Sequence, residues 1–472
     1  MRSKPLRALA LALAAGGLLA LFVLPAQARR RPAPVTVTAA LAALQRAGQL
    51  SAAEYNRYES AYVAARRSYG RLAGTRRSEL GGVLANVQAM AATGAFVPSR
   101  LPALFLTLER NRAWWTTGPL LGAHARVSVP GSRLVWEYYP GQGIEIQWLG
   151  TFGEANGYFL SGHENTAFRE LMAEVIPLAT KRAGGIAWEY MFQFDGGLPP
   201  WTSGLSQGTA LQALSRGYQR MHDQAYLTAA QEALGIFQVA PPVGVRVATP
   251  AGAEYAEYTY APADHILNGF VQALVGLYDY TQIVQDPLGQ QLFEAGDAEA
   301  RAETPHYDTG GWSRYDQHEE SDLSYHELLA EFLLHLCERT QKGSPLAPAP
   351  APKAPPNPAI PGDDIYCATA QRFTADIHTP PALALLTKSV RGGTRAGVQF
   401  SLSKVSAVSM TVSLAGHTVW TNSATVEGGR PRLLWVTPTK AGVYTVAIGA
   451  TDLAGNHAAI SGTIAVKKGS RQ

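Results

Sequence analysis

Cysteine, charge and long apolar runs are all scarce in this sequence, and each scarcity excludes a class of protein. Only two of the 472 residues are cysteines, Cys337 and Cys367, which excludes a disulfide-dense scaffold and a multi-cysteine zinc module. A single bridge between these two cysteines stays open. Charged residues make up 16% of the chain and apolar residues 46%. That apolar content can offset the entropy lost on ordering, so the chain is neither disordered nor fibrous.

The small formal charge of +4 conceals three segments of different sign. Residues 29–164 have 15 basic and 8 acidic residues, and residues 341–472 have 13 and 5. Between them, residues 165–340 have only 9 basic residues against 23 acidic ones. Because phosphate backbones bind basic surfaces, the acidic middle segment argues against nucleic acid as a partner.

The first 28 residues have the pattern of a secretory signal peptide. Arg2, Lys4 and Arg7 make the start basic, residues 8–24 are apolar, and Ala26-Gln27-Ala28 is a small-residue cleavage motif. A membrane anchor is the alternative, but the run is short and rich in small residues. No later segment is apolar enough to span a bilayer. We therefore expect cleavage after Ala28 and a soluble protein that is secreted or held at the cell surface.

Composition divides the rest of the chain into a helical part and a sheet-rich part. The proline-rich segment 341–364 favours an extended spacer and predicts a domain boundary. Beyond it, residues 365–472 show short period-two runs between glycine turns, such as the run from Val398 to Leu402. This pattern predicts an immunoglobulin-like β-sandwich. We expect the sandwich to fold alone, and a chain that ends at Thr340 to stay soluble.

Apolar residues at three- and four-residue spacing predict helices before that boundary. Residues 29–123 should form an N-terminal helical region, and residues 124–164 a β-rich segment around the turn Gly141-Gln142-Gly143. Between residues 165 and 340 the helical stripes recur in pairs, which predicts an α/α toroid. The predicted fold class is therefore multidomain: a toroid preceded by a β-rich part and followed by the β-sandwich.

Two short motifs resemble hydrolase signatures but lack the required context. Gly204-Leu205-Ser206-Gln207-Gly208 matches the nucleophile elbow G-x-S-x-G, which needs a buried strand before it, whereas a loop rich in glycine and proline precedes it here. We expect Ser206 to lie near the start of a helix. His326-Glu327 begins like a zinc-protease motif, but Ala330 stands where the second histidine would be. No metal site is expected.

Tyrosines and carboxylates cluster late in the acidic segment, among motifs with a distinctive order. A W-x-S-G-x-x-Q-G pattern occupies residues 201–208, L-N-G-F occupies residues 267–270, and Y-D-T-G occupies residues 307–310. Tyr315-Asp316 and Tyr325-His326 follow. In this order and spacing, the motifs resemble the catalytic C-terminal domain of the D-glucuronyl C5-epimerases. The resemblance extends from about residue 130 to residue 340.

The resemblance implies which residues form the site. The functional Glu-Tyr pair of the family, placed by its distance from L-N-G-F, falls on Glu257 and Tyr258, and two later tyrosines fall on Tyr315 and Tyr325. These four residues are the expected catalytic group. Seven further residues are expected to bind substrate: Trp201, Gln207, Asn268, Tyr307, Arg314, His318 and His326. The family's arginine after the Tyr-Asp pair is absent here, so Arg314 or His318 would have to bind the substrate carboxylate.

The reaction that the resemblance implies needs the kinds of group present in this cluster. The C5 hydrogen of a uronic acid is weakly acidic, so its removal needs a positioned base and charge stabilisation. Epimerisation also needs a proton donor on the opposite ring face, and a carboxylate and a phenol fit these two roles. We expect an isomerase, a glucuronate-to-iduronate C5-epimerase of a heparosan-like polysaccharide, with no cofactor. A polysaccharide lyase and a non-catalytic glycan-binding protein stay open, as does a homodimer.

Overall fold

The computed structural model describes residues 34–340 and 364–468. The expected signal peptide with its cleavage point after Ala28, and the proline-rich spacer up to residue 363, lie outside the described residues. From Val35 onward the described residues form one compact unit. Within the two described ranges, no helix combines the length and the apolarity needed to cross a membrane.

Four helices begin the helical core: α1 (Val37–Arg46), α2 (Ala52–Arg71), α3 (Gly74–Ala92) and α4 (Leu101–Thr117). Helix α2 starts at a capping box. The Ser51 hydroxyl accepts a hydrogen bond from the Glu54 amide at 3.2 Å, and the Glu54 carboxylate accepts one from the Ser51 amide at 2.8 Å. This local signal fixes the helix start, and the apolar residues of all four helices join one core.

A small antiparallel sheet follows α4, with strands β1 (Arg126–Val127), β2 (Trp136–Tyr139) and β3 (Gly143–Ile146) in that order. Gly143 has a φ of 88° and lies against Asn111 of helix α4, so only glycine fits at this point of the hairpin. The Asn111 side chain binds the amide and the carbonyl of Ile144 at 2.7 and 2.6 Å. These two bonds dock the hairpin on α4.

Paired helices make up the middle of the chain. They are α5 (Trp148–Ser161), α6 (Asn165–Val175), α7 (Gly204–Met221), α8 (Gln224–Ala233), α9 (Leu267–Val284), α10 (Pro287–Glu303) and α11 (Leu323–Thr340). Two short ribbons connect them, β4 (Thr180–Arg182) with β5 (Gly185–Ala187), and β6 (Arg246–Ala248) with β7 (Ala253–Tyr255). Single 3-10 turns lie at Ile176–Leu178, Leu234–Phe237 and Thr304–Tyr307.

Helices α7 and α9 pack directly against each other at the centre of the core. Gly208 and Gly276 face each other so closely that a Cβ on Gly276 would overlap the Gly208 backbone. Next to them, the buried carboxylate of Asp279 binds Arg216 of α7 at 2.9 Å and Arg339 of α11 at 2.7 Å. Burial acts in the opposite direction, but the two arginines lower the pKa of Asp279 to about 2. The ion pairs that join the three helices therefore persist at neutral pH.

Helix α12 (Asp364–Asp376) belongs to the helical core, although the sequence interpretation assigns residues 365–472 to the β-sandwich. Tyr366, Ala370 and Phe373 of α12 are buried in the same core as the other helices. A disulfide joins Cys337 of α11 to Cys367 of α12. The change from helix to sheet therefore comes after α12, because the apolar face of this helix is buried only by the helical core.

The C-terminal β region, residues 383–467, consists of β8 (Leu383–Leu385), β9 (Ser389–Arg391), β10 (Arg395–Leu402), β11 (Ser406–Leu414), β12 (His417–Val426), β13 (Arg432–Val436), β14 (Gly442–Asp452) and β15 (His457–Lys467). It has two sheets, of order β13-β10-β8 and β12-β11-β14-β15-β9. Alternate residues of both sheets, such as Val398, Met410 and Tyr444, form a second apolar core. The period-two pattern thus predicted a sheet-rich C-terminal part correctly.

Candidate active site

An aromatic cavity of about 80 Å³ opens beside the start of helix α7. Aromatic residues occupy every second position of residues 188–194, and three of them, Tyr190, Phe192 and Phe194, line the cavity. The backbones of Tyr190 and Trp201 pair at 2.8 and 3.0 Å, and their rings stack with centroids 4.3 Å apart. The rest of the lining is Tyr139, Gln147, Leu149, Trp201, Ser203, Leu205, Ser206, Glu257 and Tyr258.

Glu257 provides the carboxylate of this cavity. It follows strand β7, and its Oε2 atom is buried with no hydrogen-bond partner among the described residues. Burial raises the pKa of Glu257 to about 7. The carboxylate lies against the first turn of helix α9, where a Cβ on Gly269 would overlap the Oε2 atom. A carboxyl group that titrates near neutrality can accept a proton and release it again at physiological pH.

Three tyrosines share the electrostatic environment of Glu257. Burial, and after it the negative charge of Glu257, raises the pKa of Tyr258, Tyr315 and Tyr325. The ring centroids of Tyr315 and Tyr325 are 4.6 Å apart, and the Tyr258 ring lies 5.7 Å from that of Trp201. The structure therefore brings the four expected catalytic residues together. With raised pKa values the phenols stay protonated at neutral pH, so they are proton donors.

Tyr315 and Tyr325 come from two consecutive parts of the chain. Tyr325 lies in the first turn of helix α11, where its amide donates to Asp322 Oδ1 at 2.8 Å. The Tyr325 side chain is 40% exposed, so its ring is open to solvent. Tyr315 lies in the loop before this helix, and its amide donates to the Glu319 carbonyl at 2.9 Å. The two phenols thus lie side by side, and of the four expected catalytic residues only Glu257 and Tyr258 line the cavity itself.

Two expected substrate-binding residues instead have protein partners for their polar atoms. Gln207 is fully buried, donates to the Trp188 carbonyl at 2.9 Å and accepts from the Trp188 amide at 3.2 Å. Tyr307 is also buried, and its hydroxyl donates to the His265 carbonyl at 2.6 Å. Both side chains fix the backbone around the site, and the structure brings neither of them to the cavity lining.

His326 likewise lies inside the protein, away from the cavity lining. Its Nδ1 accepts from the Ser313 amide at 3.1 Å, and its Nε2 therefore carries the proton that it donates to the Phe373 carbonyl at 2.9 Å. Its ring is stacked on Trp312 with centroids 3.7 Å apart. Burial lowers the pKa of His326 to about 4, so the ring is neutral. These contacts join helices α11 and α12 to the loop of Tyr315.

The remaining four expected residues lie in or beside the site. Trp201 lines the cavity, and Asn268 is buried in the first turn of helix α9. Arg314 and His318 lie in the loop that carries Tyr315, where Arg314 Nη1 donates to the His318 carbonyl at 3.3 Å. They are the basic side chains of that loop, and the His318 side chain is exposed.

Sequence reasoning gave no site role to five polar residues of the cavity lining: Tyr139, Gln147, Tyr190, Ser203 and Ser206. The Tyr190 hydroxyl forms hydrogen bonds with Ser206 Oγ at 2.7 Å and Gln147 Oε1 at 3.2 Å. Ser206 lies in the first turn of helix α7, as the sequence predicts, and its hydroxyl partner is a phenol instead of a histidine. The alternation of aromatic residues over residues 188–194 is the sequence pattern that could have indicated this side of the cavity.

A donor set that could hold a cation lies behind the loop of Glu257. The ligand atoms of Glu254, His265 and Glu303 lie within 4.8 Å of one another. His265 Nδ1 is hydrogen-bonded to Glu254, where burial raises the pKa of the carboxyl group to about 7. The bond joins strand β7 to His265, which lies two residues before helix α9 begins at Leu267, so it fixes both ends of the loop that contains Glu257 and Tyr258.

The part of the chain that contains this site is similar to a known family of enzymes. Residues 183–344 match the family described as the D-glucuronyl C5-epimerase C-terminus. A D-glucuronyl C5-epimerase of Caenorhabditis elegans is 33% identical over 135 residues, which are 25% of this chain and 22% of that protein. Residues 183–344 of this chain are therefore similar to the C-terminal part of the D-glucuronyl C5-epimerases. All four expected catalytic residues lie inside this matched segment.

The other similarities are weaker. An uncharacterized protein of Methanocaldococcus jannaschii is 28% identical over 138 residues, which are 28% of this chain and 45% of that protein. The matches therefore span less than half the length of either relative. Among solved structures, an engineered protein aligns over 56% of this chain and 61% of its own at 14% identity, but its TM-score of 0.16 supports no argument about the fold.

Proposed function

We propose that this protein epimerises uronic acid residues at C5 within a polysaccharide. The observation that carries the proposal is the buried Oε2 atom of Glu257, which has no hydrogen-bond partner among the described residues and lies beside three protonated phenols. A base with a pKa near 7 opposite acids of much higher pKa is the combination that reversible proton transfer at carbon needs. The similarity of residues 183–344 to the D-glucuronyl C5-epimerase C-terminus supports an isomerase more than a lyase.

In the proposed reaction, Glu257 removes the C5 proton from one face of the sugar ring. The electron pair of the C5–H bond passes into the adjoining carboxylate and forms an enolate, whose charge the Tyr258 and Tyr315 phenols stabilise by hydrogen bonding. Tyr325 donates its proton to the opposite face of C5, which inverts this carbon. Glu257 then releases its proton and Tyr325 regains one, both by exchange with solvent. No atom is gained or lost overall.

Substrate contacts are proposed for the residues around this group. Trp201 would pack against a sugar ring, and Asn268 would bind a ring hydroxyl. Arg314 or His318 would pair with the uronate carboxylate, because both are basic and lie in the loop of Tyr315. Replacing each basic residue by alanine tests this role. The variant that has lost the residue that binds the carboxylate should show the larger rise in KM.

A sparsely charged chain is the proposed substrate. Residues 165–340 have 9 basic against 23 acidic residues, so few cations are present to pair with sulfate groups. We expect non-sulfated heparosan to be preferred to its N-sulfated form, with weak dependence on salt. Direct competition between the two polymers at two salt concentrations measures this. Preference for the sulfated chain that collapses at high salt would contradict it.

Three finer features stay proposals of ours: the α/α-toroid arrangement of the paired helices, the immunoglobulin-like topology of the C-terminal β region, and secretion through a signal peptide at residues 1–28. Amino-terminal sequencing of the exported protein tests the last, with Arg29 as the expected first residue. An exported protein that still begins at Met1 would contradict cleavage.

The reaction itself is tested with uronans in heavy water. An epimerase incorporates deuterium at C5 of the polymer and leaves chain length unchanged. A lyase, which begins with the same proton abstraction, instead produces unsaturated uronate ends and shorter chains. Polymer that binds to the protein but acquires neither change would identify a glycan-binding protein and contradict the proposed function.

A further inference from the structure

The carboxylate of Glu320 connects the candidate site to the C-terminal β region. Its Oε2 accepts a hydrogen bond from the Val405 amide at 2.8 Å, and its Oε1 accepts one from the Gly428 amide at 2.9 Å. Val405 lies between β10 and β11, and Gly428 lies between β12 and β13, so one side chain binds two separate loops. A Cβ on Gly428 would lie 2.6 Å from the Glu320 Oε1 atom, so glycine allows this close approach.

On its other side, Glu320 is part of the loop that carries Tyr315. Arg314 and Glu320 form an antiparallel bridge, and the Ser321 amide donates to the Ser313 carbonyl at 3.0 Å. The Tyr315 amide donates to the Glu319 carbonyl at 2.9 Å inside this bridge. Because Tyr315 directly follows one bridge residue, a displacement of Glu320 is transmitted to its backbone.

A second connection from the β region runs toward Tyr325. The Lys404 side chain is 1% exposed, and its ammonium donates to the carbonyls of Asp376 and Thr379 at 2.5 and 2.6 Å. The ammonium also lies 5.2 Å above the Trp312 ring, whose other neighbour is the stacked ring of His326. His326 directly follows Tyr325 in helix α11. The β10–β11 connection thus contacts the segment of Tyr315 directly and is linked to the helix of Tyr325 through the Trp312 ring.

We propose that Glu320 is a positioning residue, through which the C-terminal β region holds the Tyr315 loop in the geometry that proton transfer requires. The inference rests on the proposed function. It gives the β region a part in the chemistry, although that region lies outside the segment 183–344 that matches the epimerase family. We call the two hydrogen bonds that Glu320 accepts from Val405 and Gly428 the clamp. Misplacement of a reacting group by about 1 Å can cost about 10²-fold in rate, so loss of the clamp should slow the reaction.

The test uses the full chain with one substitution on each side of the clamp. In Glu320→Gln the amide nitrogen cannot accept a hydrogen bond, so one of the two contacts is lost. In Gly428→Ala the added methyl group pushes the Glu320 carboxylate away from within the β region. Glu427→Gln is the matched control, because Glu427 is exposed, neighbours Gly428, and acts on Glu320 through its negative charge, so that its replacement leaves both hydrogen bonds of Glu320 in place. Amide hydrogen exchange over residues 313–321 and the steady-state constants on the uronan are measured for all three variants.

We expect faster exchange over residues 313–321 in both clamp variants, with kcat lowered about tenfold or more and KM within about twofold of the parent. Glu427→Gln should match the parent. Unchanged exchange in both clamp variants would overturn the inference, as would faster exchange with the kcat of the parent. If the parent shows no C5 chemistry on any uronan, the proposed function fails, while the exchange data still decide whether Glu320 holds the loop.

Discussion

Gly269 is the residue on which the position of the base depends most directly. It lies in the first turn of helix α9, where a Cβ would overlap the Oε2 atom of Glu257. We expect Gly269→Ala to displace the carboxylate and to lower turnover about 10²-fold, because the base no longer reaches C5. Gly157→Ala on helix α5, where an added Cβ has open space, is the control and should keep the rate of the parent. Full activity of Gly269→Ala would show that this carboxylate is not the base.

The raised pKa of Glu257 predicts the pH dependence of turnover. Burial raises this pKa to about 7, and only the ionised carboxylate can take a proton from C5. We therefore expect kcat/KM to rise with pH through about 7 and then to level off, until phenol ionisation lowers it at much higher pH. A rate profile that is flat between pH 5 and pH 8 would contradict the role of Glu257.

The same pKa shift has the opposite effect on stability. The folded-state pKa of Glu257 lies above the ordinary value, so the folded state retains a proton that the unfolded state loses. The resulting stabilisation is complete below about pH 4.5 and is lost as the pH rises through about 7. Glu257→Gln, which is always neutral, should therefore melt at a higher temperature than the parent at pH 8 and at a similar temperature at pH 4. A lower melting temperature at pH 8 would contradict this.

The resemblance to the epimerase family supplied the four catalytic candidates, but it did not distinguish ligands from structural groups. Glu257 and Tyr325 were assigned by that resemblance, and the reaction's need for a base and an acid agrees with the assignment. Gln207 and His326 belong to the same motifs, yet their polar atoms bind backbone groups of Trp188 and Phe373. Those partners are 19 and 47 residues away, and nothing local in the sequence indicates them. The motifs therefore predicted a candidate site, while packing decided which of their members line the cavity.

At the scale of elements, helix α12 shows what sequence patterns leave undecided. Its apolar residues Tyr366, Ala370 and Phe373 have helical spacing and lie in the helical core. The proline-rich segment before α12 suggested a domain boundary at that segment. Composition gave no sign that the residues after the segment pack in the helical core. A chain that ends at Thr340 would lack α12 and expose the apolar surface that α12 covers in the helical core.

The disulfide between Cys337 and Cys367 should make a measurable contribution at this junction. It closes a loop with a sequence separation of 30, for which the chain-entropy model gives about 3–4 kcal/mol. We expect the double variant Cys337→Ser, Cys367→Ser to melt at a lower temperature than the parent and to release α12 first, seen as faster amide exchange in residues 364–376. An unchanged melting temperature would show that α12 is held by packing alone.

At the scale of the whole molecule, the cavity needs more of the chain than the segment that matches the epimerase family. Tyr139, Gln147 and Leu149 line it and lie before residue 183. On the other side, the β region binds the Tyr315 loop through Glu320. The pattern of helices and strands could be predicted from local periodicity, but these long-range contacts join elements that are far apart in sequence. They are fixed only when the parts of the chain pack together.

The central claim is that Glu257 and Tyr325 transfer the protons at C5. Deuterium incorporation at C5 by matched variants tests it most directly. The parent is compared in heavy water with Glu257→Gln, Tyr325→Phe and the control Glu145→Gln, which also alters a buried carboxyl group with a raised pKa but lies outside the aromatic cavity. We expect incorporation by the parent and the control, a loss of about 10²–10⁴-fold in Glu257→Gln, and a loss of similar size in Tyr325→Phe for the inverted product. Incorporation by Glu257→Gln at the rate of the parent would contradict the claim.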